Sequence, residues 1–224
     1  LLYIVEYANM NGQLNVNDQL TAEGYKQGGL GTGAIGGAIS VNGASVYSVF
    51  TCGCTDSLGN GSGQITQQFS NTDAEGTVTR KANRYRGIEN PFGHVFKNTI
   101  DVIVHYNAET GVNDTYYTED RTKFSDTLSN YEFKCSTVTV NNWYKDLQYT
   151  PQFELFVAPG TGTHNQSSGY FTDYTYSSNS TANRTVFIGG HLGGGSLAGW
   201  FFLWSAYDLS YSYAYIGCRL VYLP

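Results

Sequence analysis

Short runs rich in β-branched and aromatic residues recur along this chain, and glycine or a polar turn cluster ends each one before a long helix could form. With 27 glycines and four prolines in 224 residues, that punctuation argues for strands and loops with little helix. Residues 1–7 read as a strand. Residues 39–50 alternate about Asn42-Gly43, a hairpin signal because both central residues of such a turn need positive φ. Residues 98–106 predict a strand with Ile100, Val102 and Val104 on one face. Further short strands are expected at 136–140, 153–157, 170–176, 185–188, 199–204 and 216–222. The one helical expectation is a short helix over 21–27. Residues 53–80 read as a long loop or an added hairpin, and 107–133 as polar and irregular. No linker or composition break divides the chain and no repeat of 20–50 residues occurs, so a single domain over 1–224 is expected, with insertions near 53–80 and 107–150. The start at Leu1-Leu2-Tyr3 reads as the cut end of a longer protein.

Composition narrows the function classes. Charged residues are 13% of the chain, about half the usual share, and polarity comes from Asn, Ser, Thr, Gly and Tyr. Such a surface works through hydrogen bonds and ring stacking. The net charge is −6 with no basic run, so neither nucleic acid nor an anionic membrane is expected as partner. No apolar stretch approaches the roughly 18 residues of a spanning helix, and no membrane insertion is expected. Cys52-Gly53-Cys54 is too tight for an ordinary redox or zinc pair; with Cys135 and Cys218 these read as buried or half-buried thiols, disulfides being left open.

Catalytic chemistry is not legible. Residues 31–36 match the dinucleotide fingerprint by letters alone, without the preceding strand and following helix that make it bind pyrophosphate. His94, His105, His164 and His191 lie at no metal or triad spacing, and His105 reads as a packed imidazole. Glu89, in the arginine-rich stretch 84–90, reads as a salt-bridge or backbone-bonding group. No enzyme activity, cofactor or metal is expected. Five N-x-S/T sequons, at Asn60, Asn113, Asn165, Asn179 and Asn183, are what chance supplies in a chain this rich in Asn, Ser and Thr.

Residues 204–215 read Trp-Ser-Ala-Tyr-Asp-Leu-Ser-Tyr-Ser-Tyr-Ala-Tyr. Tyrosine set among serine and alanine suits a binding surface: the ring gives wide amphipathic contact at low rotamer cost while small polar residues adapt. The competing reading is a strand with Tyr211, Tyr213 and Tyr215 facing inward. Three phenols in one buried row would each need a hydroxyl partner, so the exposed, binding reading is preferred.

Two segments carry a family resemblance. Arg84-Tyr85-Arg86-Gly87-Ile88-Glu89-Asn90-Pro91-Phe92-Gly93-His94-Val95-Phe96 resembles the R-x-R-G-x-E-N-x-[FW]-G-x-x-[FW] core of phage tail and tail-fibre proteins with the C-type lectin fold, a core shared more distantly with formylglycine-generating enzymes. Residues 185–190, 198–199 and 216–220 resemble the terminal block of variable proteins made by diversity-generating retroelements. The resemblance implies an α+β C-type lectin fold and a receptor-binding domain of a phage tail or tail fibre. Its hypervariable face, about 191–215, would recognise a host cell-surface protein or glycan. It implies a ligand-binding face of His191, Leu192, Ser196, Leu197, Trp200, Trp204, Ala206, Tyr207, Asp208, Tyr211, Tyr213 and Tyr215. The scaffold would be Arg84, Arg86, Gly87, Glu89, Asn90, Phe92 and Gly93, the arginines tying Glu89 and nearby carbonyls into the core, with Phe92 and Phe96 packed beneath the face. Location in the virion and a homotrimer through the rest of the fibre are family implications too. The alternatives are a bacterial surface adhesin of the same fold, an oxidase related to formylglycine-generating enzymes, and a structural virion domain that binds nothing. The E-P-N, Q-P-D and W-N-D motifs of calcium-dependent lectins are absent, and Cys218 alone stands where the oxidases carry a copper-binding pair.

Overall fold

The computed structural model describes residues 20–21, 24–25, 39–41, 44–46, 52–61, 63–71, 76–139, 141–143, 148–149, 156–157, 174–191, 202–213 and 215–217. Their strands are β1 (Leu20–Thr21), β2 (Gly24–Tyr25), β3 (Ile39–Val41), β4 (Ala44–Val46), β5 (Gly63–Asn71), β6 (Gly76–Tyr85), β7 (Ile88–Glu89), β8 (Phe96–Asn107) and β9 (Val112–Tyr117). They continue with β10 (Glu132–Thr137), β11 (Asn141–Trp143), β12 (Gln148–Tyr149), β13 (Phe156–Val157), β14 (Tyr174–Ser177), β15 (Arg184–Ile188), β16 (Leu203–Ser205) and β17 (Ile216–Gly217).

The helical turns among the described residues are three 3₁₀ turns of three residues, at Asp56–Leu58, Arg121–Lys123 and Leu128–Asn130. The expected α+β class, stated for a C-type lectin fold, is therefore corrected to a sheet-dominated architecture. The short helix expected over 21–27 is corrected with it, since Leu20–Thr21 pairs antiparallel with Gly24–Tyr25. A glycine inside so short a segment costs about 1 kcal/mol against alanine, and isolated short helices are marginal without that cost. The Asn42-Gly43 hairpin is present, with Val41 paired to Ala44. The stretch 53–80 contributes the hairpin β5–β6, and the stretch expected to be irregular contributes β9. The strand expected at 1–7 lies outside the described residues.

The principal sheet runs β10-β9-β8-β15-β16-β14-β11, with β17 pairing in parallel beside β8. Both faces are packed. Val102, Val104 and Val186, with Tyr117, Ile188 and Leu203, form one layer. Phe96, Phe187 and Phe202, with Tyr174, Trp204, Tyr207, Tyr211, Tyr215 and Ile216, form the other. Val186 and Phe187 are chain neighbours yet belong to opposite layers, as the period of two requires.

The sheet curls into a half-barrel. Asn113 on β9 and Ser177 on β14 are separated by β8, β15 and β16. In a flat sheet those strands would lie about 19 Å apart at the usual strand spacing. Here the Asn113 amide donates to Ser177 Oγ at 3.4 Å. A bulge supplies part of the curvature: Thr185 pairs with Ile103 but Val186 pairs with Thr99, so residues 100–102 of β8 have no opposite number on β15. The same bulge turns Ile100 outward at 59% exposure, correcting its expected place beside Val102 and Val104.

Arg184 closes the curl from inside. It is 0% exposed. Its Nη1 donates to the carbonyls of Ser178 and Ser205, each at 2.6 Å, and Nη2 donates to Asn113 Oδ1. Burial holds the guanidinium down at about 10. Its acceptors are all uncharged, so neutral oxygens rather than an ion pair hold Nη1 and Nη2, while the buried Nε has no partner among the described residues. Removing the fork strands buried oxygens from three strands or their ends. Arg184→Ala is expected to cost about 3–5 kcal/mol, since each buried oxygen left without its donor costs about 1–3 kcal/mol. Arg184→Lys, which keeps charge but not the planar fork, is expected to recover little of it. Urea midpoints of both variants check this, and an unchanged midpoint for either one contradicts it.

Candidate binding face

The scaffold segment begins with a tight turn. Tyr85 pairs with Ile88, leaving Arg86-Gly87 as a two-residue loop with φ of +46° and +81°. Two positive φ values give the hairpin its strand-matching twist; Gly87 takes this freely, whereas Arg86 bears the strain. The Arg86 guanidinium lies 5.5 Å from the Tyr85 ring centre.

Glu89 then anchors a separate loop. Its Oε2 accepts from the Gly53 amide at 2.9 Å, and its Oε1 accepts from the Thr55 amide and hydroxyl, both at 2.8 Å, and from Cys54 Sγ at 3.3 Å. Burial pushes this carboxyl up, but the hydrogen bonds outweigh it and hold the group at about 2. Burial and the neighbouring Glu89 charge push the Cys54 thiol up to about 11. The expected tie from the arginines takes a different form at Arg84. It reaches this same loop, at Thr55 Oγ1 (3.0 Å) and Asp56 Oδ1 (3.1 Å), instead of Glu89 itself. Cys52, Cys54 and Cys135 are free, Cys52 exposed and the others half-buried.

Past Glu89 the chain docks onto the C-terminal block. Asn90, at φ +45°, donates its amide to Asn83 O at 2.7 Å. Phe92 is fully buried, Gly93 donates to Gly189 O at 2.9 Å, and Phe96 donates to Tyr215 O at 2.8 Å. Gly189, at φ +85°, lies so close to this segment that a Cβ would fall 3.2 Å from Pro91 O and 3.4 Å from Phe92 Cα.

This docking lays Phe96 beneath an aromatic cluster. The His191 ring sits 4.7 Å from Phe96 and 4.7 Å from Tyr215, nearly parallel to the latter at 19°. Tyr207 stacks on Tyr211 at 3.9 Å and 10°, and Tyr213 lies 4.5 Å from Tyr215. The hydroxyls of Tyr211 and Tyr215 share a hydrogen bond of 2.9 Å. Burial, then hydrogen bonds with Tyr211 and Tyr207, pushes the Tyr215 phenol well above its ordinary range; burial alone lowers His191. Trp204 stacks on Tyr176 at 4.3 Å, and its buried indole N–H has no acceptor among the described residues.

Six of the sequence-derived face residues, His191, Trp204, Tyr207, Tyr211, Tyr213 and Tyr215, thus meet in one cluster. Five are half-buried and Tyr213 is 56% exposed. Ala206 is half-buried beside them. Asp208 is exposed, but its carboxylate is engaged locally by Ser210 N (3.0 Å) and Oγ (2.6 Å). Leu192, Ser196, Leu197 and Trp200 lie outside the described residues. Residues 207–213 form no strand: Tyr211 and Tyr215 pack against the phenylalanine core and partner each other's hydroxyls, while Tyr213 is exposed. Tyr174, Tyr176, Phe187 and Phe202 complete the floor. Sequence reasoning placed these four on strands without assigning them to the face; the side of a strand that meets the face depends on sheet pairing.

The face offers ring surfaces and phenol hydroxyls, and no group of three metal-ligating side chains occurs among the described residues. His105 Nδ1 bonds Asn183 Oδ1 at 2.9 Å, a packed role.

Two outcomes test the scaffold. Glu89 has a folded-state pKa below its ordinary 4.5, so its contribution is whole above that value and is lost as pH falls toward about 2. The urea midpoint is expected to fall over that window in the natural chain and to fall less in Glu89→Gln. Gly189→Ala is expected to cost more than about 1 kcal/mol by the same measurement, from positive φ and crowding together.

No family model, no curated protein and no solved structure matches this chain, so its functional reading rests on the geometry of this face.

Proposed function

We propose that the chain is a receptor-binding domain of a phage tail or tail fibre, and that the aromatic face of residues 191–215 recognises a host cell-surface protein or glycan. One observation carries the reading: His191, Trp204 and four tyrosines converge over a packed phenylalanine floor, with Tyr213 at 56% exposure. Recognition surfaces concentrate their energy in such rigid aromatic anchors, ringed by small polar residues that adapt; here Ser210 and Ser212 stand exposed between the tyrosines. The variability expected of this segment fits the same division, since residues 207–213 lie outside the sheet while the strands below hold the fold. Modest affinity per domain would be multiplied on a trimeric fibre.

Tyr213→Ser tests the proposal. Exposed substitutions of this kind shift stability by less than about 0.5 kcal/mol, so the fold should be unchanged. Binding of the labelled chain to intact bacterial cells, read across a panel of strains, is expected to weaken at least about tenfold, or about 1.4 kcal/mol. Phe133→Ser, at an exposed aromatic on β10, serves as control and should leave cell binding alone. Equal binding by Tyr213→Ser and the natural chain would overturn the assignment of the face.

A further inference from the structure

Asn113-Asp114-Thr115 is an N-glycosylation sequon, and such acceptors belong on surface loops of secreted proteins. Here it lies within β9, and Asn113 is 0% exposed. Its Nδ2 donates to Thr139 Oγ1 at 3.2 Å and Ser177 Oγ at 3.4 Å, while its Oδ1 accepts from Arg184. Glycan transfer from a lipid-linked oligosaccharide joins Nδ2 to the sugar's anomeric carbon, releasing one amide proton and the lipid diphosphate. That consumes one of the two donors and needs a path to solvent that the curled sheet closes. We infer that a glycan on Asn113 and this fold exclude one another, so that the chain is made where N-linked transfer does not occur.

A second observation points the same way independently. Cys52 is a free, exposed thiol, and Cys54 and Cys135 are free and half-buried. Exported proteins in oxidising compartments seldom leave thiols in this state. The sequon argues against a compartment with N-linked transfer, and the thiols suit assembly within a reducing cell interior better than export into an oxidising one. The inference does not depend on what the aromatic face binds.

The test makes the same full chain in the bacterial cytoplasm and as a secreted product of cultured mammalian cells. Asn60 and Asn179, both exposed, report whether the secreted chain met the transferase. The cytoplasmic chain is expected to unfold in one cooperative transition. The secreted chain is expected to carry a glycan at Asn113 by peptide mass spectrometry and to lose that transition. Thr115→Val removes the sequon without touching Asn113. Asn113→Asp removes it while keeping an acceptor for Arg184. At least one of them, secreted, should regain the transition. A secreted natural chain that unfolds like the cytoplasmic one, with Asn113 modified or not, overturns the inference. So does failure of both variants in secretion when each folds in the cytoplasm, because the defect would then have another cause. Cell binding by the cytoplasmic chain is scored separately and bears only on the receptor-binding proposal.

Discussion

A cation buried without a counter-charge is the constraint on which the principal sheet depends. Arg184 engages Nη1 and Nη2 with oxygens from Ser178, Ser205 and Asn113, and these become neighbours only when the sheet is curled. A flatter sheet would leave both the guanidinium and those oxygens unsatisfied in the interior, where an unmade hydrogen bond costs more than a made one contributes. The curl is thus held by polar geometry at one end and by the valine layer along its length.

The same residue reaches the opposite face through its backbone. Arg184 bridges to Asp208, at the start of the tyrosine segment, and its side chain holds Ser205 just before it. Beneath the segment, Phe96 touches Phe187, Phe202, His191, Trp204 and Tyr215. Tyr207, Tyr211 and Tyr215 pack onto that floor, and Tyr213 alone of the four is exposed.

Local signals in the chain were legible where the pattern was strong. Asn42-Gly43, the strand at 185–188 and the central part of β8 follow from residue type and spacing, whereas the meeting of the tyrosine block with Phe96 was implied only by the family resemblance. What stayed hidden depends on distant partners. β9 reads Val-Asn-Asp-Thr-Tyr-Tyr, polar enough to pass for a loop, and becomes a strand because Asn113 finds Arg184 and Asp114 finds Ser136 across the sheet. Arg184 itself sits in an Asn-Arg-Thr triplet that looks like surface. Ile100 kept its alternation in sequence and lost it to a bulge that only the pairing of β8 with β15 creates. The anchoring of Glu89 by the 53–55 loop was equally out of reach, since nothing local says which amides a carboxylate will meet.

The place of β17 has a bearing on how the chain folds. It pairs in parallel beside β8, Ile216 against Phe96, so that a strand near the middle of the sheet finds a neighbour more than a hundred residues later. Closing so long a loop exacts its entropy before the contact returns anything, and topologies of this kind fold slowly. A nascent chain emerging from the ribosome can form the β8–β9 and β9–β10 hairpins early, but the flank of β8 that β15 will occupy, and the stretch Phe96–Lys97 on the other flank that β17 will pair, stay open until residues 184–217 have been made. During that interval the apolar edge of β8 is a template for the wrong strand. Synthesis of residues 184–217 is therefore also the step that closes β8 against misassembly.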